Sequence, residues 1–187
     1  SLPPRGYFTD EIRRQLSRDF GEAEFFTGGL SVRSTLDQDL QAVAARALRG
    51  GLERFDRSRG RWRGTGLFVP IESLGDEAAW REALDDADVA RDVDGWHVAV
   101  VLGLDDAQAR IGIEDKPRDP ETDVIPLDAM DWAALRGERR PRVADDLLRL
   151  GEVIHVRAET DEAGAVTHYS LRQIPEVQGA FVVMDVI

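Results

Sequence analysis

The sequence is poor in residues that many active sites use: it has no cysteine and a single lysine, Lys116. The absence of cysteine excludes disulfides, thiol chemistry and zinc sites built on cysteine ligands. Arginine supplies all the other long cationic side chains. Any reaction that needs an active-site lysine must therefore use Lys116 or is absent from this chain.

The sequence also lacks long apolar runs and an excess of positive charge. No apolar run approaches the roughly 18 residues that a helix needs to cross a bilayer. The formal net charge of the 187 residues is −12 at pH 7. This argues against a nucleic-acid backbone or an anionic membrane surface as the main partner, because both attract a basic face. With 42% hydrophobic residues, the chain can build one core, or a domain with a smaller appendage.

The last nine residues, GAFVVMDVI (179–187), are among the most apolar in the chain. A terminal strand of this kind exposes unpaired backbone N–H and C=O groups together with apolar side chains. We therefore expect this strand to pair within a larger domain, and the chain to be a piece of a longer protein.

The first part of the chain is predicted to form a helix, a strand and a second helix. Apolar residues repeat on one stripe over residues 9–20, which predicts an amphipathic helix. The alternating sequence LSVRST (30–35) predicts a strand. Helical spacing of apolar residues over 40–55 predicts the second helix, with Thr35 or Asp37 as its N-terminal cap.

The composition shifts near residue 56, after which the basic, glycine-rich stretch RSRGRWRGTG (57–66) is predicted to be irregular. A short helix is predicted over 76–86, and a helical turn over 128–135. Five short strands are predicted at residues 95–104, 107–115, 124–127, 148–159 and 166–174. Five strands with a helix before the fourth predict an α+β chain that contains a small closed, five-stranded OB-like β-barrel.

Acidic residues are abundant, but their spacing predicts no site. A glycosidase or glycosyltransferase needs two carboxylates placed across a substrate cleft. One group of aspartates lies in polar sequence, so we predict that it forms a solvated acidic face. Its members are Asp85, Asp86, Asp88, Asp92 and Asp94. Hard oxygen ligands for calcium are offered by Asp115, Asp119, Glu121 and Asp123. Neither these residues nor Asp92-x-Asp94-Gly95 has the full ligand order of a calcium loop, which ends in a glutamate.

Three histidines, His97, His155 and His168, lie on separate predicted strands. A zinc site would need them to converge on one face. Core-type residues flank His97 and His155, so both are expected at surface-facing strand positions. The sequence thus predicts no catalytic, cofactor-binding or metal-ligating residue.

Arginines occupy alternate positions after residue 56, namely Arg57, Arg59, Arg61 and Arg63. Trp62 lies among them. Such a stretch could bind phosphate or single-stranded nucleic acid, as OB barrels do with aromatic platforms. The acidic composition favours instead a mobile linker or an arginine strip that docks on preceding acids. The other tryptophans are predicted core residues: Trp80, Trp96 and Trp132.

Three stretches together resemble class A penicillin-binding proteins of the 1A type. Residues 7–16 and 28–48 resemble the segment after the glycosyltransferase domain, where the pattern V-x-T-T-hydrophobic-D-x-x-L-Q-x-x-A opens the transpeptidase domain; Ser34 replaces the first threonine. WHVAVVLGLDDAQARIGIED (96–115) resembles the first hairpin of the inserted OB-like domain. LRQIPEVQGAFVVMD (171–185) resembles the return into the transpeptidase domain.

The resemblance implies a stem over residues 1–56, an inserted OB-like barrel over 57–168, and a return strand over 169–187 that pairs near LSVRST. It implies a parent protein that is a peptidoglycan glycosyltransferase and D,D-transpeptidase. That parent is expected in the periplasm of a Gram-negative bacterium, anchored in the inner membrane. This chain would be its non-catalytic module, which spaces the flanking catalytic domains and docks a regulatory protein or peptidoglycan.

The transpeptidase motifs S-x-x-K and K-T-G both need a lysine. Ile113 stands three residues before Lys116, and Pro117-Arg118 follow it, so neither motif exists in this chain. Penicillin acylation by the usual route is therefore excluded here. Two alternatives stay open: a stand-alone OB-type module that binds oligosaccharide or nucleic acid, and a hydrolase that uses Asp/Glu pairs on peptidoglycan.

Overall fold

The computed structural model describes residues 7–21, 37–135 and 140–179. The chain divides into two compact units, residues 1–41 and 42–187. The second unit contains most of the long helix and all five strands described below.

The described residues contain three α-helices, all predicted from the sequence: α1 (Tyr7–Phe20), α2 (Gln38–Ser58) and α3 (Glu77–Asp85). Asp37 caps α2, because its carboxylate accepts hydrogen bonds from the backbone N–H groups of Asp39 (2.9 Å) and Leu40 (3.0 Å). Asp76 caps α3 in the same way, accepting from the N–H of Ala78 at 2.9 Å.

A single antiparallel sheet has the strand order β3-β2-β1-β4-β5. Its strands are β1 (His97–Leu104), β2 (Gln108–Ile113), β3 (Val124–Pro126), β4 (Val153–Thr160) and β5 (Val166–Arg172). Strands β3 and β5, at the two ends of this order, pack side by side, so the sheet curls round on itself. The predicted α+β class and five-stranded architecture are confirmed.

Strand β1 lies in the middle of the sheet and is buried on both faces. Ala99 and Val101 belong to the larger core cluster inside the curled sheet. Val98 and Val100 point the other way and pack in a second cluster with Trp80 of α3. Burial on both faces explains why β1 reads as a nearly continuous apolar run.

Helix α3 packs closely on the outside of the sheet. Gly112 of β2 permits this contact, because a Cβ atom there would lie 2.7 Å from Cη2 of Trp80. The guanidinium of Arg81 donates hydrogen bonds to the carbonyl oxygens of Ile113 and Lys116, both at 2.7 Å. These bonds fix the helix at the end of β2.

Two elements differ from the sequence predictions. The helical turn predicted over 128–135 is a single 3₁₀ turn, Leu127–Ala129, because the chain then turns inward to bury Met130 and Trp132. Strand β4 begins at Val153 rather than at residue 148. The backbone turns just before it, where the N–H of Glu152 bonds to the carbonyl oxygen of Arg149 at 3.1 Å.

Some predictions lie outside the described residues: the strand over 30–35, the Thr35 cap, and the pairing of that strand with residues 180–187. None of the helices in the described part of the chain is both long and apolar enough to cross a membrane.

Candidate functional site

Charged and polar side chains, the innermost of them buried, meet where α2 contacts the sheet. We call this set the junction: Glu53, Asp56, Arg63, Glu159, Arg172 and Gln173. Asp56 is only 5% exposed. Nη2 of Arg63 donates to both of its carboxylate oxygens, at 3.0 and 2.9 Å, and Nε2 of Gln173 donates to Oδ2 at 2.7 Å. The carboxylate is therefore fully partnered despite its burial.

Arg172 is the most deeply buried charge of the junction, at 1% exposure. Its Nε lies 3.1 Å from Oε1 of Glu53, and its Nη2 lies 3.1 Å from Oε1 of Glu159. Burial lowers the pKa of Arg172 to about 10, with repulsion from Arg157 adding to the effect and Glu53 opposing it. A charge this deep is retained because carboxylates from α2 and β4 surround it.

Glu159 completes this part of the junction from strand β4. It accepts hydrogen bonds from the Ser170 hydroxyl and from Nη2 of Arg157 at 3.4 Å. Burial by itself would raise the pKa of Glu159, but the Ser170 hydrogen bond and the charges of Arg157 and Arg172 outweigh it and lower the pKa.

The arginine stretch is ordered and docks on acids of α2. Besides its bonds to Asp56, Arg63 lies 3.5 Å from Glu176. Arg57 lies 3.9 Å from Glu53 and stacks over the Trp132 ring at 5.2 Å. The predicted docking of an arginine strip on preceding acids is confirmed for Arg63. Arg57 lies in the last turn of α2, so the irregular stretch begins later than predicted.

Trp62 does not offer a stacking platform. It is 5% exposed, its ring meets Trp132 edge-on at 6.2 Å, and its Nε1 donates to Glu152 at 3.3 Å. The nucleic-acid hypothesis for this stretch thus loses its aromatic residue. Trp80 and Trp132 are core residues as predicted, whereas Trp96 is half-buried and borders a surface hollow.

The buried carboxylate beside Trp62 was not predicted from the sequence. Glu152 is 6% exposed, and its Oε2 also accepts the backbone N–H of Arg149 at 3.0 Å. Burial raises the pKa of Glu152, while these two donors oppose the rise.

The predicted solvated face is confirmed: all its aspartates are exposed, namely Asp85, Asp86, Asp88, Asp92 and Asp94. Of the residues considered for calcium, Asp123 is buried and accepts the backbone N–H of Asp119 at 2.7 Å. Burial raises the pKa of Asp123. Across residues 7–21, 37–135 and 140–179, no three His, Asp or Glu side chains are grouped closely enough to hold a metal ion.

The three histidines do not converge. Nδ1 of His97 lies 2.9 Å from Asp115, and Nδ1 of His168 lies 3.0 Å from the Thr167 hydroxyl. His155 is 4% exposed, so the prediction of a surface-facing position is wrong for it. The backbone around Ala90 covers this ring, and Nε2 of His155 lies 2.8 Å from the Ala90 carbonyl oxygen.

Two surface hollows of about 200 and 230 Å³ adjoin His155 and share Ala90. We call the larger one the Trp96 hollow; its lining includes Ala90, Val93, Trp96, His97, Asp115 and His155. The smaller one borders the junction through Arg172 and Gln173.

A family model described as "Penicillin-binding protein OB-like domain" matches residues 62–177, the part of the chain that contains the whole sheet. The chain belongs to this family. The match confirms the predicted resemblance for the barrel.

Similar proteins carry the same family name. "Penicillin-binding protein 1A" of Rickettsia bellii (strain RML369-C) is 33% identical over 180 residues, which cover 96% of this chain and 20% of the relative. "Penicillin-binding protein 1A" of Vibrio cholerae serotype O1 (strain ATCC 39315 / El Tor Inaba N16961) is 26% identical over 186 residues, covering 96% and 22%. The chain thus spans about a fifth of the length of the curated relatives it matches.

A crystal structure of penicillin-binding protein 1A from Haemophilus influenzae has the same fold. It aligns with a TM-score of 0.56 and 24% identity, covering 90% of this chain and 22% of that one. The family and the sheet were predictable from the sequence, but the junction as a whole was not, because some of its partners, such as Gln173 and Asp56, are 117 positions apart along the chain.

Proposed function

We propose that this chain is the non-catalytic OB-like and linker module of a bifunctional peptidoglycan synthase, and that it spaces the two catalytic domains and offers a docking surface. The parent would carry a glycosyltransferase and a penicillin-sensitive D,D-transpeptidase. It would be anchored in the inner membrane and face the periplasm. The observation that carries this proposal is the junction.

The junction brings together the two points at which the chain enters and leaves the barrel. Arg63, on entry, donates from Nη2 to the carbonyl oxygen of Ile174 at 3.0 Å, and its backbone N–H donates to Gln173 Oε1 at 3.1 Å. A domain whose entry and exit are adjacent can be inserted into a host domain without separating the host's own elements. This supports an inserted barrel that begins just after α2 (Gln38–Ser58) and ends just after β5 (Val166–Arg172), so its exit lies a few residues beyond the predicted residue 169.

After β5 the chain comes back to α2 at Gly179. A Cβ atom on Gly179 would lie 3.2 Å from Cδ1 of Leu48 and 3.7 Å from Cδ2 of Leu52. The chain enters the barrel directly from α2 and contacts α2 again after it leaves the barrel. Both connections between the barrel and its host domain therefore meet at the same helix. A barrel held in this way keeps a set position on α2, which is what a spacer between two catalytic domains needs.

Nothing in the chemistry of the described residues favours an enzyme. The chain lacks S-x-x-K and K-T-G, and the exposed aspartates lie on the surface without a common cleft. The alternative of a stand-alone nucleic-acid module has lost its aromatic platform, because Trp62 is buried. The remaining feature, a barrel whose entry and exit lie side by side, fits a docking and spacing role.

The test is made in the full-length parent, with residues 62–177 replaced by a flexible Gly/Ser linker. We expect glycan polymerisation and acylation by labelled penicillin to persist, while cross-linking of newly made strands and rescue of growth are lost. Normal cross-linking without the barrel would overturn the proposal. Acylation of this chain alone by labelled penicillin, or turnover of peptidoglycan by it, would do so as well.

A further inference from the structure

The walls of the Trp96 hollow are fixed by hydrogen bonds within the protein. Arg91 lines this hollow, and Nε of its guanidinium donates to both carboxylate oxygens of Glu114, at 3.1 and 3.0 Å. Its Nη1 donates to the carbonyl oxygen of Ala87 at 3.0 Å, and its Nη2 donates to that of Leu84 at 2.8 Å. A hollow whose walls are already ordered binds a ligand without the entropic cost of ordering them.

Charges of both signs line the hollow. Arg91 and Glu114 form an ion pair, with Nη2 and Oε1 2.7 Å apart. Beside this pair, Oδ1 of Asp115 lies 2.9 Å from Nδ1 of His97. The cationic guanidinium repels a positively charged ligand, and the two carboxylates repel a negatively charged one. The hollow therefore favours a neutral polar ligand over an ion.

The hydrogen-bonding groups that remain open to a ligand are acceptors on Asp115. Its side chain is 58% exposed, and each oxygen of a carboxylate can accept more than one hydrogen bond. The three nitrogens of the Arg91 guanidinium, in contrast, already donate to oxygens of the protein. This arrangement suits a ligand that donates hydrogen bonds, as hydroxyl groups do.

Trp96 gives the hollow a flat apolar surface. A turn presents this residue, because Gly95 has a φ of 74° and the backbone N–H of Trp96 donates to the carbonyl oxygen of Val93 at 3.1 Å. The half-buried ring contacts the buried ring of His155, with centroids 5.8 Å apart. A tryptophan beside carboxylate acceptors matches a sugar ring, which has an apolar C–H face and hydroxyl groups at its edge.

We propose that the Trp96 hollow binds one uncharged sugar ring of a glycan strand. The C–H face of the sugar would lie against Trp96, and hydroxyl groups at its edge would donate to Asp115. The hollow has a volume of about 230 Å³ and is open to solvent, so it holds a single ring while the strand continues outside. The inference rests on the proposed docking function, and it names cell-wall glycan, rather than a regulatory protein, as what this hollow binds.

The probe for this site is triacetylchitotriose, an uncharged trisaccharide of N-acetylglucosamine. The readout is the indole N–H signal of Trp96 in a proton–nitrogen correlation spectrum of the 187-residue chain. We expect a saturable shift of this signal, and weaker binding of the deacetylated trisaccharide, which is cationic. The indole signals of Trp62, Trp80 and Trp132 should stay in place, because these rings are buried.

Two pairs of matched variants separate a site from unspecific attachment of sugar. Asp115→Ala should weaken trisaccharide binding by about tenfold. Its control, Asp106→Ala, removes an exposed carboxylate outside the hollow and should weaken binding less than about twofold. Trp96→Leu should also weaken binding by about tenfold, whereas Phe68→Leu, which removes an exposed aromatic ring outside the hollow, should not. Circular dichroism spectra check that each variant folds, and Asp115→Ala alone decides if Trp96→Leu does not.

Three results would overturn the inference: no saturable shift at Trp96, equal weakening by Asp115→Ala and Asp106→Ala, or tighter binding of the cationic trisaccharide than of the uncharged one. The full-length parent distinguishes this failure from failure of the proposed function. If replacement of residues 62–177 abolishes cross-linking while Asp115→Ala keeps it and the chain does not bind the trisaccharide, the inference fails and the proposed function stands. The module would then dock a regulatory protein through another surface.

Discussion

The junction and the exposed segment 85–94 place similar residues in opposite surroundings. At the junction, Asp56 and Arg172 are buried, and each contacts partners from distant parts of the chain. On the segment 85–94, Asp88, Asp92 and Asp94 are exposed to solvent. The contrast separates the charges that hold this fold together from those that lie in solvent. It also predicts how strongly each set affects stability.

The largest effect should come from Arg172→Met. This change keeps the length of the side chain but leaves the carboxylates of Glu53 and Glu159 without their buried partner. We expect a loss of about 3–5 kcal/mol in the free energy of unfolding, measured by urea denaturation. Arg46→Met, on the exposed face of α2, is the control and should change stability by less than about 0.5 kcal/mol. Equal losses in the free energy of unfolding would show that Arg172 matters no more to stability than a surface arginine.

Asp56→Asn should have the next largest effect. The amide loses the charge-assisted bonds to Arg63, and one of its two polar atoms becomes a donor facing donors. We expect a loss of about 2–3 kcal/mol in urea denaturation. Asp145→Asn, at an exposed position, serves as the control. A stability equal to that of the unaltered chain would mean that Asp56 is not a structural charge.

The sheet could be predicted from the sequence because its signals are local. Alternation and apolar runs mark β1 and β2, and the turn at Asp105-Asp106 separates them. The helices followed from apolar spacing and from caps such as Asp37. These features depend on residues only a few positions apart, so one sequence is sufficient to find them.

The burial of single residues such as His155 and Trp62 could not be predicted in this way. His155 looked like a surface residue because its own strand gives no sign of the covering segment, and Ala90 lies 65 positions away. Trp62 sits in a glycine- and arginine-rich stretch that reads as a loop, yet Trp132 and Glu152 enclose it. Burial of these residues depends on tertiary contacts, which the local pattern does not contain.

A third prediction uses pH to separate buried from exposed carboxylates. Burial raises the pKa of Glu152 above its ordinary value of 4.5. The stabilisation that arises from this pKa difference is therefore complete below pH 4.5, and it is lost as the pH rises through the higher pKa of the folded state. Glu152→Gln should remove this part of the pH dependence, so the stability of the unaltered chain should fall relative to the variant as the pH rises. The measurement is the thermal unfolding temperature of both proteins between pH 4 and 8. Glu121→Gln, at an exposed position, is the control.

The smallest effect on stability is expected on the exposed segment 85–94. Asp88→Asn/Asp92→Asn/Asp94→Asn should change the free energy of unfolding by no more than about 0.5 kcal/mol per residue, because all three side chains are exposed. The measurement is urea denaturation at low and high salt. A strong destabilisation would show that these aspartates hold the fold, and the contrast with the junction would fail.

The junction fixes the barrel on α2, and a distance measurement tests this directly. Because the chain has no cysteine, Arg49→Cys and Asp106→Cys place two spin labels at exposed positions on the helix and on the barrel. Pulsed electron paramagnetic resonance then measures the distance between them. We expect a single narrow distance distribution that broadens when Arg172→Met and Asp56→Asn are added. A broad distribution with the junction intact would contradict it.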